Sequence, residues 1–319
     1  MPSLLWAQSR CDGADAGALE LLERMSRAGM AVSHRGMATL QRGGDMRVLR
    51  IRRDIDGEGV TDTLTLLTGQ SAQVVRAGHP ESCTHPGHTL LRLQRDEGDV
   101  CGVAAHYRLS LEPGDQVAGR ATRKITARPR DMYRYAHVLE IDEQTAQLLK
   151  ETTLTADGRP LEQFQYASFT PAADADTQQD AGANTDLDTG GHADAEQASE
   201  TPYRHPASHS EGPDTGTLVS EAAPITTPWK PEWLPDGFVA TQNDAAGPRQ
   251  TYTDGMASFS VFLEPVSTAM QPGEGAVREG STLAYTRGLR LAGSTVLVSV
   301  IGEVPVNTAR IVADSVRLR

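Results

Sequence analysis

Residues 170 to 226 set the first limit on what this chain can become. They hold eleven acidic residues against one base, Arg204, and consist mainly of Ala, Asp, Thr, Gly and Pro. With few large apolar groups, burial cannot offset the entropy lost on ordering the backbone. The stretch reads as a disordered acidic linker. Folding is therefore expected on either side of it, over 14–169 and 227–319, with residues 1–13 as a tail. A linker of this length leaves the arrangement of the flanking units unset. Eleven acids less one base give −10 of the chain's net charge of −12. The two folded parts are then nearly neutral, which argues against a nucleic-acid binder and its basic face.

The first unit opens with a helix over 14–30. Ala18, Leu22, Met25 and Ala28 fall on one face, with Gly29 as the expected stop. From 34 to 169 the texture becomes short strands punctuated by turns. HRGMATLQ and DMRVLRIRR flank Gly43-Gly44; TLTLL and AQVVR flank Thr68-Gly69-Gln70. HYRLSLE, RKITARP, YRYAHVLEID, QLLKETTL and PLEQFQYASF follow, with turns at 142–145 and 156–158. This rhythm predicts one large antiparallel meander, curled around the early helix and leaving a concave face. Leu64, Leu66, Val74, Tyr107, Leu109 and Val138 are strand positions that would line that face as a lipid pocket, or simply fill a core.

The second unit opens with WKPEWLPDGF and continues with TYTDGMASFSVFLEP. AYTRGLRLAG and TVLVSVIGE predict a hairpin around 292–294. A terminal helix over PVNTARIVADSVR follows, with Pro305 in its first turn and Val306, Ala309, Val312 and Val316 as its apolar stripe. The expected class is α+β, mostly β: a large curved sheet with helices, and a smaller antiparallel sheet with a C-terminal helix.

Chemistry-bearing motifs are sparse. His79, Cys83, His85 and His88 lie within ten residues of one another, near Cys101 and His106, and offer metal-ligand side chains. The alternative is a polar hairpin loop stapled by a Cys83–Cys101 disulfide or holding both thiols reduced. No G-x-S-x-G elbow, P-loop or G-x-G-x-x-G is found, and no carboxylate pair stands out. The chain is read as a non-enzyme without a cofactor. Two basic runs, RVLRIRR and GRATRKITARPR, set Arg50 with Arg52, and Arg128 with Arg130, on shared strand faces. Such guanidinium pairs suit anionic head groups or an acidic peptide, and equally suit a solvated face that protects a sheet edge.

No stretch approaches the roughly 20 apolar residues needed to span a bilayer. Met1–Gln8 reads MPSLLWAQ, with Leu5 and Ala7 placed like the −3 and −1 positions of a signal-peptidase site. It is either a signal-peptide remnant, with the true start upstream, or an unstructured tail.

LEPGDQVAGRATRKITARPRDMYRYAHVLEIDEQTAQLLKETTL and GRPLEQFQYASF resemble the N-terminal domain of the RseB/MucB family. WLPDGF, YTDGMASFSVFLEP and VLVSVIGEVPVNTARIVADSV resemble its C-terminal domain, in the same order. The resemblance implies a lipoprotein-carrier-like first domain and a periplasmic negative regulator of an envelope-stress sigma factor. It implies binding to the periplasmic segment of a transmembrane anti-sigma factor, protection of that segment from proteolysis, and release by lipopolysaccharide or lipoprotein acyl chains. The alternative is a periplasmic lipid or lipoprotein carrier without that partner. Trp233, Leu234 and Phe238 match the entry motif of the C-terminal domain, and Tyr252, Asp254 and Phe259 the next one. They are partner-contact candidates, with a structural role as the alternative. Self-association is left open.

Overall fold

The computed structural model describes residues 15–56, 59–69, 72–77, 102–172, 227–241, 247–266 and 273–319. The His79–His88 cluster, the Cys83–Cys101 pair, most of the acidic stretch and the first fourteen residues lie outside them.

Helix α1 (Ala16–Ala31) starts where Asp15 accepts hydrogen bonds from the amides of Gly17 (2.9 Å) and Ala18 (3.3 Å). Its second carboxylate oxygen takes the Leu111 amide at 3.3 Å, tying the helix start to the sheet. A cap of this kind stabilises a helix by about 1 kcal/mol. Ala18, Leu21, Leu22, Met25 and Ala28 are buried on one face, as the spacing predicts. Gly29 is not the stop. Its carbonyl accepts from the Arg53 guanidinium, and the helix runs on to Ala31 with Val32 as its C-cap.

Nine strands form the large sheet: β1 (His34–Arg42), β2 (Asp45–Asp56), β3 (Gly59–Leu66), β4 (Ala72–Ala77), β5 (Tyr107–Val117), β6 (Arg120–Pro129), β7 (Ala136–Asp142), β8 (Leu148–Leu154) and β9 (Pro160–Pro171). Their order is β4-β3-β2-β1-β9-β8-β7-β6-β5, and the pairings are antiparallel. The single meander is thus corrected to two, β1–β4 and β5–β9, joined where β1 pairs with β9. Tight turns fix each hairpin locally, whereas the β1–β9 pairing closes a gap of more than a hundred residues and carries no local signal. Strand β9 also takes in Thr170 and Pro171, opposite Arg35 and His34.

The second set of strands comprises β10 (Trp229–Pro231), β11 (Val239–Ala240), β12 (Arg249–Thr253), β13 (Ser258–Pro265), β14 (Glu274–Glu279), β15 (Thr282–Leu291), β16 (Ser294–Gly302) and β17 (Val316–Leu318). Six of them form a sheet in the order β11-β12-β13-β16-β15-β14. The period-2 burial of β13 and β16 sends Phe259, Val261, Leu263, Val296, Val298 and Val300 inward. Helix α2 (Val306–Asp314) packs Ala309, Val312 and Ala313 onto that core. It is shorter than the sequence suggests. Pro305 sits at its N-cap, Val306 is exposed, and Val316 belongs to β17, which pairs with β10.

Candidate functional site

The concave face of the large sheet is shared between two occupants. Helix α1 covers the β5–β7 half, packing on Tyr107, Leu109, Ile125, Ala127, Leu139 and Ile141. The other half, formed by β1–β3, β8 and β9, leaves a hollow of about 260 Å³. Leu40, Leu49, Ile51, Leu64, Leu148 and Phe164 give it apolar walls, and Thr282 and Glu303 reach it from the second unit.

Most charges along these walls are already paired. Arg53 and Asp62 face each other across β2 and β3 and bond bidentately at 2.6 and 2.7 Å. Arg42 donates to Glu162 at 3.0 Å and to Glu279 at 3.2 Å. His34 sits with Nδ1 3.1 Å from the Val32 carbonyl and Nε2 3.0 Å from the Tyr166 hydroxyl. Donation from Nδ1 and acceptance at Nε2 suit the neutral ring. Burial, reinforced by the Arg53 charge, pushes its pKa down to about 4. Glu151 lies 3.1 Å from Nδ1 of His137. Burial works against a charged His137, but that hydrogen bond and the Glu151 charge raise its pKa. Glu303 is half-buried, and burial followed by the neighbouring Glu151 pushes its carboxyl up to about 8.

The second unit is locked to the first at three places. Asp254 on the β12–β13 turn accepts from Arg134 Nε at 2.6 Å and from the Tyr107 hydroxyl at 3.0 Å. Its other oxygen takes the Met256 and Ala257 amides at 2.9 and 2.8 Å. Arg134 also bonds Asp131 and the Asp236 carbonyl, and its guanidinium lies 5.0 Å from the Phe238 ring centre. Met256 is buried in the core beneath α1. Beside this joint, the Tyr135 hydroxyl donates to the Val304 carbonyl at 3.1 Å and Thr308 to the Tyr133 carbonyl at 3.0 Å. At the hollow, Ser281 donates to Glu162 at 3.1 Å, and Glu279 takes both Arg42 and Arg47. The flanking units therefore have a defined arrangement, which the length of the acidic stretch alone left unset.

The MucB/RseB N-terminal domain model matches residues 17–183, and the MucB/RseB C-terminal domain model matches residues 224–317. The sigma factor AlgU regulatory protein MucB of Pseudomonas aeruginosa is 31% identical over 95% of this chain and 91% of that protein. The chain belongs to the MucB/RseB family. The sigma-E factor regulatory protein RseB of Salmonella typhimurium is 24% identical over 96% and 92%. Among solved structures, the Pseudomonas aeruginosa MucA/MucB complex superposes with a TM-score of 0.66 at 26% identity, covering 95% of this chain and 99% of that one. MucB in complex with MucA(peri) gives 0.63 at 28%, with the same coverage.

The MucB/RseB motif residues named from the sequence turn inward in this structure. Phe238, Tyr252 and Phe259 are core side chains of the second unit, and Asp254 is wholly buried against the first. Trp233 and Leu234 are partly buried on that core, and the Trp233 ring meets Tyr133 edge-on at 5.1 Å. The six proposed pocket residues are divided. Leu64 lines the hollow, while Tyr107 and Leu109 lie beneath α1. Val138 alternates with the buried Leu139 and so points to the convex face. Leu66 is half-buried and lies outside the hollow's lining, and the Val74 side chain is outside the described residues.

Arg50 and Arg52 are exposed on the convex side of β2, Arg52 pairing with Asp54 at 2.7 Å. Arg128 is exposed on β6, and Arg130 donates to the Ala104 carbonyl at 3.2 Å. Strands β1, β9, β8 and β7 separate the two pairs, so they form two patches rather than one rim. Sequence reasoning missed His34, Asp62, Arg134 and Glu303 as site-forming residues. His34, Arg134 and Glu303 act through neighbours brought close only by tertiary folding, so no local pattern marks them; Asp62 faces Arg53 across the β2–β3 hairpin, and the pair could have been found from that register. Among the described residues no cluster of His, Cys, Asp and Glu suits a metal, and no helix is long and apolar enough to cross a membrane.

Proposed function

We propose that this chain is a periplasmic negative regulator of envelope-stress sigma-factor signalling. It binds the periplasmic segment of a transmembrane anti-sigma factor and shields that segment from regulated proteolysis. The carrying observation is its likeness, along 95% of its length, to MucB solved in complex with MucA(peri). The mechanism is mass action: a bound segment is not available to the protease, and a ligand that prefers the free regulator shifts the equilibrium toward cleavage. Lipopolysaccharide or a lipoprotein acyl chain is that ligand, with Leu64 and the other apolar walls of the hollow taking the chain. Arg50, Arg52 and Arg128 offer anion contacts on the convex face, and Arg130 offers one beyond the end of β6.

The test is calorimetric titration of the full chain with the periplasmic segment of the anti-sigma factor from the same genome, followed by proteolysis of that segment. Saturable binding and slowed cleavage are expected; no heat and unchanged cleavage refute the reading. The hollow also favours a second reading, a lipid or lipoprotein carrier. Lipoprotein transfer without anti-sigma binding would select it.

A further inference from the structure

The convex face of the large sheet carries three arginines beside the place where the acidic stretch begins. Arg35 on β1 and Arg52 on β2 are direct cross-strand partners, and Arg50 lies two residues from Arg52 on the same face. All three are exposed. Like charges set opposite each other destabilise a sheet. Asp54 answers Arg52 at 2.7 Å, whereas the Arg35 and Arg50 side chains have no hydrogen bond or ion pair among the described residues. Protection of a sheet edge does not account for the cluster. Strands β1 and β2 lie inside the order β4-β3-β2-β1-β9, where neighbours on both sides already take their backbones.

The chain itself brings counter-charge to this place. Thr170, near the end of β9, pairs directly with Arg35 and shares its face. Asp174, Asp176 and Asp180 are the next acids, and no Lys or Arg occurs before Arg204. The four residues from Thr170 to Asp174 reach about 13 Å when extended. Strand β2 stands two strand spacings from β9, about 10 Å away. The first carboxylates therefore reach the arginines of both strands.

We propose that the first acids of the 170–226 stretch, Asp174, Asp176 and Asp180, dock in cis on Arg35, Arg50 and Arg52. Guanidinium and carboxylate match as two parallel charge-assisted hydrogen bonds. One exposed pair is weak, so the contact depends on several acting together and weakens with salt. Tethering compensates, because a short linker holds the acids at an effective concentration on the order of millimolar. An anion arriving from outside must then displace the chain's own carboxylates. That competition rests on the anion-contact reading of Arg50 and Arg52; the docking does not.

The experiment records arginine Nε–H resonances of the full chain made with isotope-labelled arginine, Arg35→Lys and Arg50→Lys giving the assignments. Asp174→Asn, Asp176→Asn and Asp180→Asn together are expected to shift both resonances at low salt, and added salt to move the parent toward the same positions. A control removes three charges at the far end, with Glu211→Gln, Asp214→Asn and Glu221→Gln, and is expected to leave both in place. Resonances unmoved by the first variant, or moved equally by the control, overturn the docking. Calorimetry with inorganic tripolyphosphate reads the competition. The first variant is expected to bind it about tenfold tighter than parent or control, and adding Arg35→Gln and Arg50→Gln to erase the difference. Equal affinity of parent and first variant overturns the competition. Shifted resonances with no tripolyphosphate bound by the first variant overturn the anion-contact reading and leave the docking standing.

Discussion

Arg134 and Asp254 meet at 2.6 Å with both side chains wholly buried, although 120 residues of sequence separate them. They join the large sheet to the smaller one, and Tyr107 completes the contact. Deleting one partner of a buried pair strands the other charge, at a cost of about 3–5 kcal/mol. Asp254→Ala is therefore expected to lower stability to urea by at least that amount, and Arg134→Met combined with Asp254→Leu to recover only the part due to the stranded guanidinium, because the Met256 and Ala257 amides still lack their acceptor. Tyr107→Phe should cost about 1 kcal/mol. Urea unfolding of the four proteins checks this, and Asp254→Ala within error of the parent would refute the joint's importance.

The turn that docks β14–β15 at the hollow depends on Gly280. Its φ is +62°, and a Cβ there would lie 2.5 Å from Glu162 Oε2 and 2.8 Å from Arg42 Cγ. Gly43 has a similar φ of +57° with nothing within 4 Å. The left-handed backbone costs a non-glycine residue about 1–2 kcal/mol at either place. Gly280→Ala should exceed Gly43→Ala in destabilisation, because only the former displaces the Arg42–Glu162 pair. Equal losses in thermal unfolding would show that the turn is not pressed against the sheet.

His34 and Glu303 tilt stability in opposite directions with pH. The folded His34 pKa is about 4 against 6.5 for the free side chain, so its contribution is present above pH 6.5 and lost as pH falls toward 4. The full loss is roughly 3 kcal/mol. Glu303 is raised from 4.5 to about 8, so its relative contribution is full below pH 4.5 and lost as pH rises through 8. Urea midpoints across pH 4–8.5 should show His34→Gln flattening the acid limb and Glu303→Gln the alkaline one. An acid limb that His34→Gln leaves unchanged would assign the proton to another group.

Two arginines oppose each other directly on the convex face, Arg108 on β5 and Arg128 on β6, both exposed. Like charges at facing positions destabilise a sheet by a few tenths of a kcal/mol, and opposite ones stabilise it by a similar amount. Arg128→Glu should then raise stability by about 0.5–1 kcal/mol at low salt and less at high salt. If the face binds anions, the same variant weakens their binding, measured by titration with inorganic phosphate.

Local pattern was enough for the strands and turns and for the buried stripe of α1. Period-2 burial and paired turn residues are properties of neighbours in sequence, so the β1–β2, β3–β4 and β15–β16 hairpins could be read directly. The end of α2 could not. Val316 continues the helical spacing, yet pairing with Pro231 in β10 draws it into a strand. The motif around Trp233 and Tyr252 could be located but not interpreted, because an aromatic or acidic side chain fits a core, a domain joint or a partner surface equally well. Which one it serves depends on what faces it. By itself the sequence determined the elements and the family likeness. Only the tertiary structure decided that β1 meets β9, that Asp254 faces Arg134, and that Glu303 reaches the hollow from the second unit. Those contacts join residues far apart in the chain, and their energies depend on burial and distance, which no local pattern encodes.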